Sequence, residues 1–104
     1  MTEKQKLSEE QIQKELGALG NWALVEGKLH REYKFQDFVD AFGFMTRAAI
    51  VAESMGHHPE WFNVYSTVIV DLMTHDVDGL SDLDFLLAAR MDQLAGIAPP
   101  EADV

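Results

Sequence analysis

The sequence predicts an α+β fold, α-β-β-α-β-β-α: a four-stranded antiparallel sheet with three helices packed on one face. Three observations lead to it. Helix-capping patterns open three amphipathic segments. Two short β-rich runs each fold back about a turn residue. A helix separates these two hairpins, an arrangement that leaves an antiparallel sheet covered on one side. A chain of 104 residues, 47% of them apolar, suits one domain with one core. That domain is expected over 1–96, and a flexible tail over 97–104, where Pro99-Pro100 and small or acidic residues follow.

The first helix opens on Ser8-Glu9-Glu10-Gln11, a capping box in which the Ser8 hydroxyl accepts the Gln11 amide and the Gln11 side chain reaches back. Leu7 and Ile12 are placed as its hydrophobic staple. Ile12, Leu16 and Leu19 form a short apolar stripe, and Gly20 supplies the positive φ of a helix stop. The first hairpin joins Trp22–Glu26 to Lys28–Tyr33 across Gly27. The second helix runs from Asp37 to about Met55, with Gly56 as the stop. Phe38, Phe42, Met45, Ala49 and Ala52 stand three or four apart and predict its buried face. Phe44 and Val51 fall elsewhere and suggest a second buried surface. The second hairpin joins Trp61–Tyr65 to Thr67–Met73 across Ser66, with Val68, Val70 and Leu72 on one strand face and Thr67 and Asp71 on the other. The third helix repeats the device of the first: Ser81 caps, Asp84 stands at N3, and Leu80 staples Phe85. Leu87, Met91 and Leu94 then lead towards Gly96.

Composition narrows the function classes. Eighteen Asp and Glu against eight Lys and Arg give a net charge of −10. Residues 1–34 hold six acids and six bases, so the whole excess lies in residues 35–104, where Arg47 and Arg90 face twelve acids. Such a surface repels phosphate backbones and argues against direct nucleic-acid binding. No cysteine is present, which removes disulfides, thiol nucleophiles and Cys-ligated metal sites. No apolar run approaches the length of a membrane helix and the first ten residues are too polar for a signal peptide, so no membrane association and a cytoplasmic location are expected.

Chemistry concentrates in two places. His57 and His58 follow the stop of the second helix, and His75 ends the last strand. Pro59 biases His58 towards extended backbone and out of the helix. The hairpin brings His75 towards the histidine pair, with Glu53, Glu60 and Asp76 near in sequence and Trp61 offering a large flat face. Imidazoles titrating near neutral pH suit general acid–base work. The same residues also read as a plain surface turn, or as a two-histidine, one-carboxylate iron triad. His30 is read as a surface residue without comparable company, and Trp22 as core. No nucleophile elbow, phosphate loop or dinucleotide glycine pattern occurs.

The run His57-His58-Pro59-Glu60-Trp61-Phe62-Asn63-Val64-Tyr65, followed by Thr74-His75-Asp76 and Gly79-Leu80-Ser81-Asp82-Leu83-Asp84-Phe85, closely resembles pterin-4a-carbinolamine dehydratase. The likeness spans nearly the whole chain, including the Trp22 hairpin, Phe35 and Glu53. It implies dehydration of 4a-hydroxytetrahydrobiopterin to quinonoid dihydrobiopterin, in recycling of the pterin, without metal or cofactor. It implies His57, His58 and His75 as the catalytic histidines: His57 and His75 as acid–base groups, His58 mainly binding substrate. Pro59 and Trp61 would line the pterin slot, Glu53 would orient a histidine, and Asp76 is a further candidate binding residue. A homodimer or homotetramer is implied. The alternative is a non-catalytic oligomeric binding module or dimerisation cofactor, for which Phe44 and Val51 on the second helix are the candidate surface. The chain departs from the family pattern at Gly56, where relatives often carry an acid, at Val77 in place of an animal cysteine, and at Leu83 in place of an arginine.

Overall fold

A computed structural model describes residues 4–97 of the chain. The elements are α1 (Glu9–Leu19), β1 (Ala23–Val25), β2 (Lys28–Lys34), α2 (Phe38–Met55), β3 (Glu60–Val64), β4 (Thr67–Leu72), one 3-10 turn (His75–Val77) and α3 (Asp82–Leu94). The predicted order of helices and strands is the observed one. All strands pair antiparallel in the order β1-β2-β4-β3, so β4 inserts between β2 and β3. Leu29, Arg31 and Tyr33 of β2 and Val68, Val70 and Leu72 of β4 point inward and are buried beneath the helices. Their alternate neighbours His30, Ile69 and Asp71 stay half-buried on the opposite face.

Both hairpins close in two residues. Val25 pairs with Lys28 across Glu26 and Gly27, whose φ angles are both positive, at 51° and 78°. That pair of left-handed residues gives the turn a twist matching the strands. Val64 pairs with Thr67 across Tyr65 and Ser66, and Tyr65 takes φ 49° although it is not glycine. The Asn63 amide donates to Tyr65 O and Thr67 O at 3.1 and 2.9 Å, tying that turn together.

The buried face of α2 overlaps the predicted one only in part. Ala52 is buried as expected and Met45 rests against the core. The rest of the buried face is Ala41, Phe44 and Ala48, whereas Ala49 is exposed and Phe38 and Phe42 are 45% and 53% exposed. Both sets have helical spacing, so periodicity alone does not choose between them. The small side chains at 41, 48 and 52 let the helix approach the sheet, and Phe44 fills the remaining gap against Tyr33 and Phe35, at ring distances of 4.8 and 5.0 Å. Phe44 belongs to the protein's own core; the exposed apolar surface of α2 is Phe38, Val39, Phe42 and Ile50.

Capping proceeds as the sequence requires at both boxes, Ser8 with Gln11 and Ser81 with Asp84. Helix α1 buries no residue fully; Ile12, Leu16 and Leu19 rest on the core, and the Leu7 amide donates to Leu80 O at 2.8 Å. Past α3, the Ile97 amide donates to Asp92 O at 2.9 Å and its side chain packs against the core. Residues 98–104, the rest of the predicted tail, lie outside the described residues.

Candidate active site

Helix α2 ends in a way that aims His57 inward. Gly56 takes left-handed φ 64°, ψ 29°, its amide reaching Ala52 O and Glu53 O, and the next amide, His57, also donates to Ala52 O at 3.1 Å. A side chain at position 56 would strain this backbone, so glycine suits the helix stop. The chain thereby turns back over α3. His57 is 6% exposed, and its Nε2 lies 2.6 Å from Asp84 Oδ1. The other Asp84 oxygen accepts from the Ser81 amide at 2.9 Å and from the Thr74 hydroxyl at 2.7 Å. Asp84 is fully buried, so each of these donors replaces lost water.

His58 faces the other way. Its Nε2 meets Glu53 Oε1 at 2.8 Å, on the surface, with both side chains more than 60% exposed. His75 begins the 3-10 turn after β4. That turn is closed by the Thr74 amide donating to Gly79 O at 2.8 Å and by left-handed Asp78, whose amide donates to His75 O. Nε2 of His75 lies 3.0 Å from Glu60 Oε2. Asp76, next in the turn, accepts from Lys4 Nζ at 3.0 Å, and this ion pair holds its carboxyl below the usual carboxylate range.

An open cleft of about 210 Å³ unites these groups, lined by His57, His58 and His75 with Lys4, Met73, Thr74 and Asp76. A neighbouring hollow of about 250 Å³ shares Met73 but contains no histidine, so the chemistry gathers in the first. The three histidines have one feature in common. Each commits Nε2 to a different carboxylate, Asp84, Glu53 or Glu60. An ionised carboxylate only accepts, so Nε2 carries the proton and Nδ1 is left as the edge free to exchange one. Among the described residues no hydrogen bond engages those Nδ1 atoms. The same arrangement works against the iron-triad reading. Among the described residues no three His, Asp or Glu side chains converge as a ligand set.

Residues 5–94 match the family model described as Pterin 4 alpha carbinolamine dehydratase. The chain belongs to the pterin-4a-carbinolamine dehydratase family. A Solibacter usitatus protein named "Putative pterin-4-alpha-carbinolamine dehydratase" is 60% identical over 90 residues, covering 86% of this chain and 95% of that protein. A Prochlorococcus marinus (strain MIT 9303) protein of the same name is 51% identical over 88 residues, 85% and 92% of the two chains. Among solved structures, a Brucella melitensis protein titled transcriptional coactivator/pterin dehydratase superposes with TM-score 0.86 at 45% identity, over 88% of this chain and all of that one. A pterin dehydratase-like RuBisCO assembly factor of the alpha-carboxysome shares the fold with TM-score 0.63 at 23% identity, over 74% and 89%.

For a member of this family the site holds some surprises. Pro59 and Trp61 do not line the histidine cleft; Trp61 pairs with Val70 on the inward side of β3 and packs partly on the core. Glu53 reaches the site only through His58, and Asp76 lines the cleft directly. His30, read from sequence as lacking company, holds Asp71 Oδ1 with Nδ1 at 2.8 Å. Sequence reasoning took Asp84 for a cap alone and gave Glu60 no partner. One signal was available for Asp84: the N3 position of a capping box ordinarily takes the longer Glu or Gln.

Proposed function

We propose that this protein dehydrates pterin-4a-carbinolamine (4a-hydroxytetrahydrobiopterin) to quinonoid dihydrobiopterin by histidine general acid–base catalysis. In this step the C4a–O bond breaks, the departing hydroxide takes a proton and leaves as water, and N5 gives up its proton as the C4a=N5 bond forms. Two positioned groups are needed, one protonated and one neutral. His57 and His75 supply them through Nδ1, and His58 binds substrate at the cleft mouth. Positioned acids and bases of this kind typically contribute about 10²- to 10⁴-fold each.

The observation that supports this reading most is the set of three imidazoles around one cleft, each with Nε2 occupied by its own carboxylate. That pairing fixes the tautomer and orientation of each ring. The neutral, flat pterin nucleus also suits an acidic protein, because it offers no phosphate to repel. The test is decay of freshly generated carbinolamine with purified protein. Wild type should outpace buffer, and His57→Ala with His75→Ala should return the rate to the buffer value while the variant still melts cooperatively, at a lower temperature because Asp84 loses a buried partner. Wild-type decay at the buffer rate would overturn the reading.

A second reading, an oligomeric binding module, draws on the exposed Phe38, Val39, Phe42 and Ile50 of α2. Four large apolar side chains on one helix favour burial against another chain. Both readings predict a homodimer or homotetramer that Phe42→Asp weakens in sedimentation. They part on the double histidine variant, which keeps a partner-binding role and loses a catalytic one.

A further inference from the structure

The three carboxylates that hold the histidines are themselves held differently. Asp84 is pinned by buried donors, and Glu53 stands exposed with His58 as its hydrogen-bond partner. Glu60 divides its two oxygens between a lysine cation and an imidazole. Oε1 takes Lys28 Nζ at 2.6 Å and Oε2 takes His75 Nε2 at 3.0 Å. Lys28 belongs to β2 while Glu60 begins β3, and β4 lies between them. The lysine therefore spans a whole strand to reach its partner.

The register explains why such a reach is useful. Glu60 stands directly opposite Asp71 of β4 on the outward face of the sheet, and Asp71 stands opposite His30 of β2. Facing acids repel and push each other's side chains apart. β2 answers both, with His30 on Asp71 and Lys28 on Glu60. Without Lys28, Glu60 would be free to swing from Asp71 and from His75 alike.

We propose that Lys28 is a positioning residue that acts through Glu60 to set the tautomer, orientation and proton affinity of His75. This rests on the reading of His75 as an acid–base group. The Lys28 hydrogen bond, then that of His75, holds the Glu60 carboxyl below its usual range, and Glu60 in turn raises the lysine above 10.5. Glu60 is thus an anion wherever an imidazole titrates, always an acceptor for Nε2–H. The other charges around His75 act at longer range. Asp76 follows it in the turn and is occupied by Lys4; His57 and His58 border the same cleft; Asp71 and Glu26 act on Lys28. Among the described residues, Glu60 is the one carboxylate hydrogen-bonded to the His75 ring.

The experiment follows the His75 ring by NMR in the full chain, alongside carbinolamine decay across pH, for wild type, Glu60→Gln, Lys28→Met and Lys28→Arg. Loss of the anion in Glu60→Gln should move the His75 titration midpoint down. Lys28→Met, which frees Glu60 to swing from His75, should move it down as well, by less than Glu60→Gln does. Each shift should be roughly 0.2 to 0.7 pH unit, the size of a screened surface pair. Lys28→Arg should restore the wild-type midpoint. The Lys28→Met shift should shrink once Glu60→Gln is also present, because the lysine works through that residue. The matching limb of the pH–rate profile should move with the ring. Midpoints unmoved in both single variants, or a Lys28→Met midpoint that rises as plain removal of a cation would make it, would overturn the proposal. Absence of wild-type activity would instead defeat the dehydratase reading, and the NMR shifts would still decide this one.

Discussion

Helix α3 carries two buried carboxylates two turns apart, and they do different work. Asp92 receives Trp22 Nε1 at 3.1 Å on each oxygen, Arg31 Nη1 at 3.2 Å and the Tyr33 hydroxyl. Asp84 receives the Ser81 amide, the Thr74 hydroxyl and His57 Nε2. Indole and guanidinium keep their protons throughout the neutral range, and burial pushes the Tyr33 hydroxyl far above 10.0, followed by its bond to Asp92. Asp92 is therefore a locked charge that ties α3 to the sheet. Asp84 has one partner, His57, whose imidazole is chemically able to give and take a proton. A buried carboxylate is structural or functional according to what donates to it, and the helix that presents it can be the same.

The comparison breaks most visibly at Asp92. Arg31 is 8% exposed, its guanidinium lies 4.7 Å from the Tyr33 ring centroid, and its Nε has no hydrogen-bond partner among the described residues. It depends on Asp92 for its counter-charge. Asp92→Ala strands a buried cation, and breaking such a pair costs about 3–5 kcal/mol, a large share of a small domain's stability. Urea melts should show that loss, while activity per folded molecule stays within about twofold of wild type, since nothing at the cleft changes. A kcat lowered more than stability would break the division between the two carboxylates.

Asp84→Asn should do the reverse. Asn can keep an oxygen on the Ser81 amide, but its NH2 then faces His57 Nε2 and favours the tautomer with the proton on Nδ1. That removes the free edge. Activity should fall by about 10²-fold, equivalent to about 2.7 kcal/mol, with a smaller stability loss of about 1–2 kcal/mol. Asp84→Asn as active as wild type would detach His57 from the chemistry.

Much of this comparison was legible in the sequence and some was not. Capping boxes, glycine stops and the alternation of Val68, Val70 and Leu72 are local signals, and they locate each α-helix and strand within a residue or two, though not the 3-10 turn at His75–Val77. The cleft was legible as a cluster of His57, His58 and His75, because two of these are adjacent and the third lies one hairpin away. Strand order was not, since β4 between β2 and β3 is a property of the assembled sheet. Lys28 and Glu60 meet only because of that order, 32 residues apart in the chain. Trp22, Arg31 and Tyr33 meet Asp92 across 59 to 70 residues, with no spacing to announce it. The core face of α2 was misread in part, at Phe38, Phe42 and Ala49, for another reason: two apolar stripes have the same period, and only the sheet decides which one it covers.

Tyr33 sharpens the comparison with pH. Its proton is held in the folded state well above the ordinary tyrosine value of 10.0, so its contribution is complete below that pH and is lost as pH rises beyond it. The unfolded chain ionises there first, and stability should fall steeply. Tyr33→Phe removes a hydrogen bond to a charged group, costing about 1–2 kcal/mol at neutral pH, and should flatten the alkaline fall. An alkaline limb equally steep in the variant would place its origin elsewhere.

The smallest effect belongs to the exposed pair Lys4–Asp76, the surface counterpart of the two buried carboxylates. Asp76 is lowered from 3.8 by Lys4, so the stability this pair supplies is present above that value and disappears as pH falls through the still lower folded value. Asp76 is 69% exposed, so water and salt screen the attraction. Lys4→Met should melt within a degree or two of wild type at pH 7, and the difference should vanish near pH 2 and in high salt. A gap that widened in acid would mean Lys4 holds the cleft by packing rather than by charge. The contrast with Asp92 would then rest on burial alone, because an ion pair that survives protonation of its acid was never acting as one.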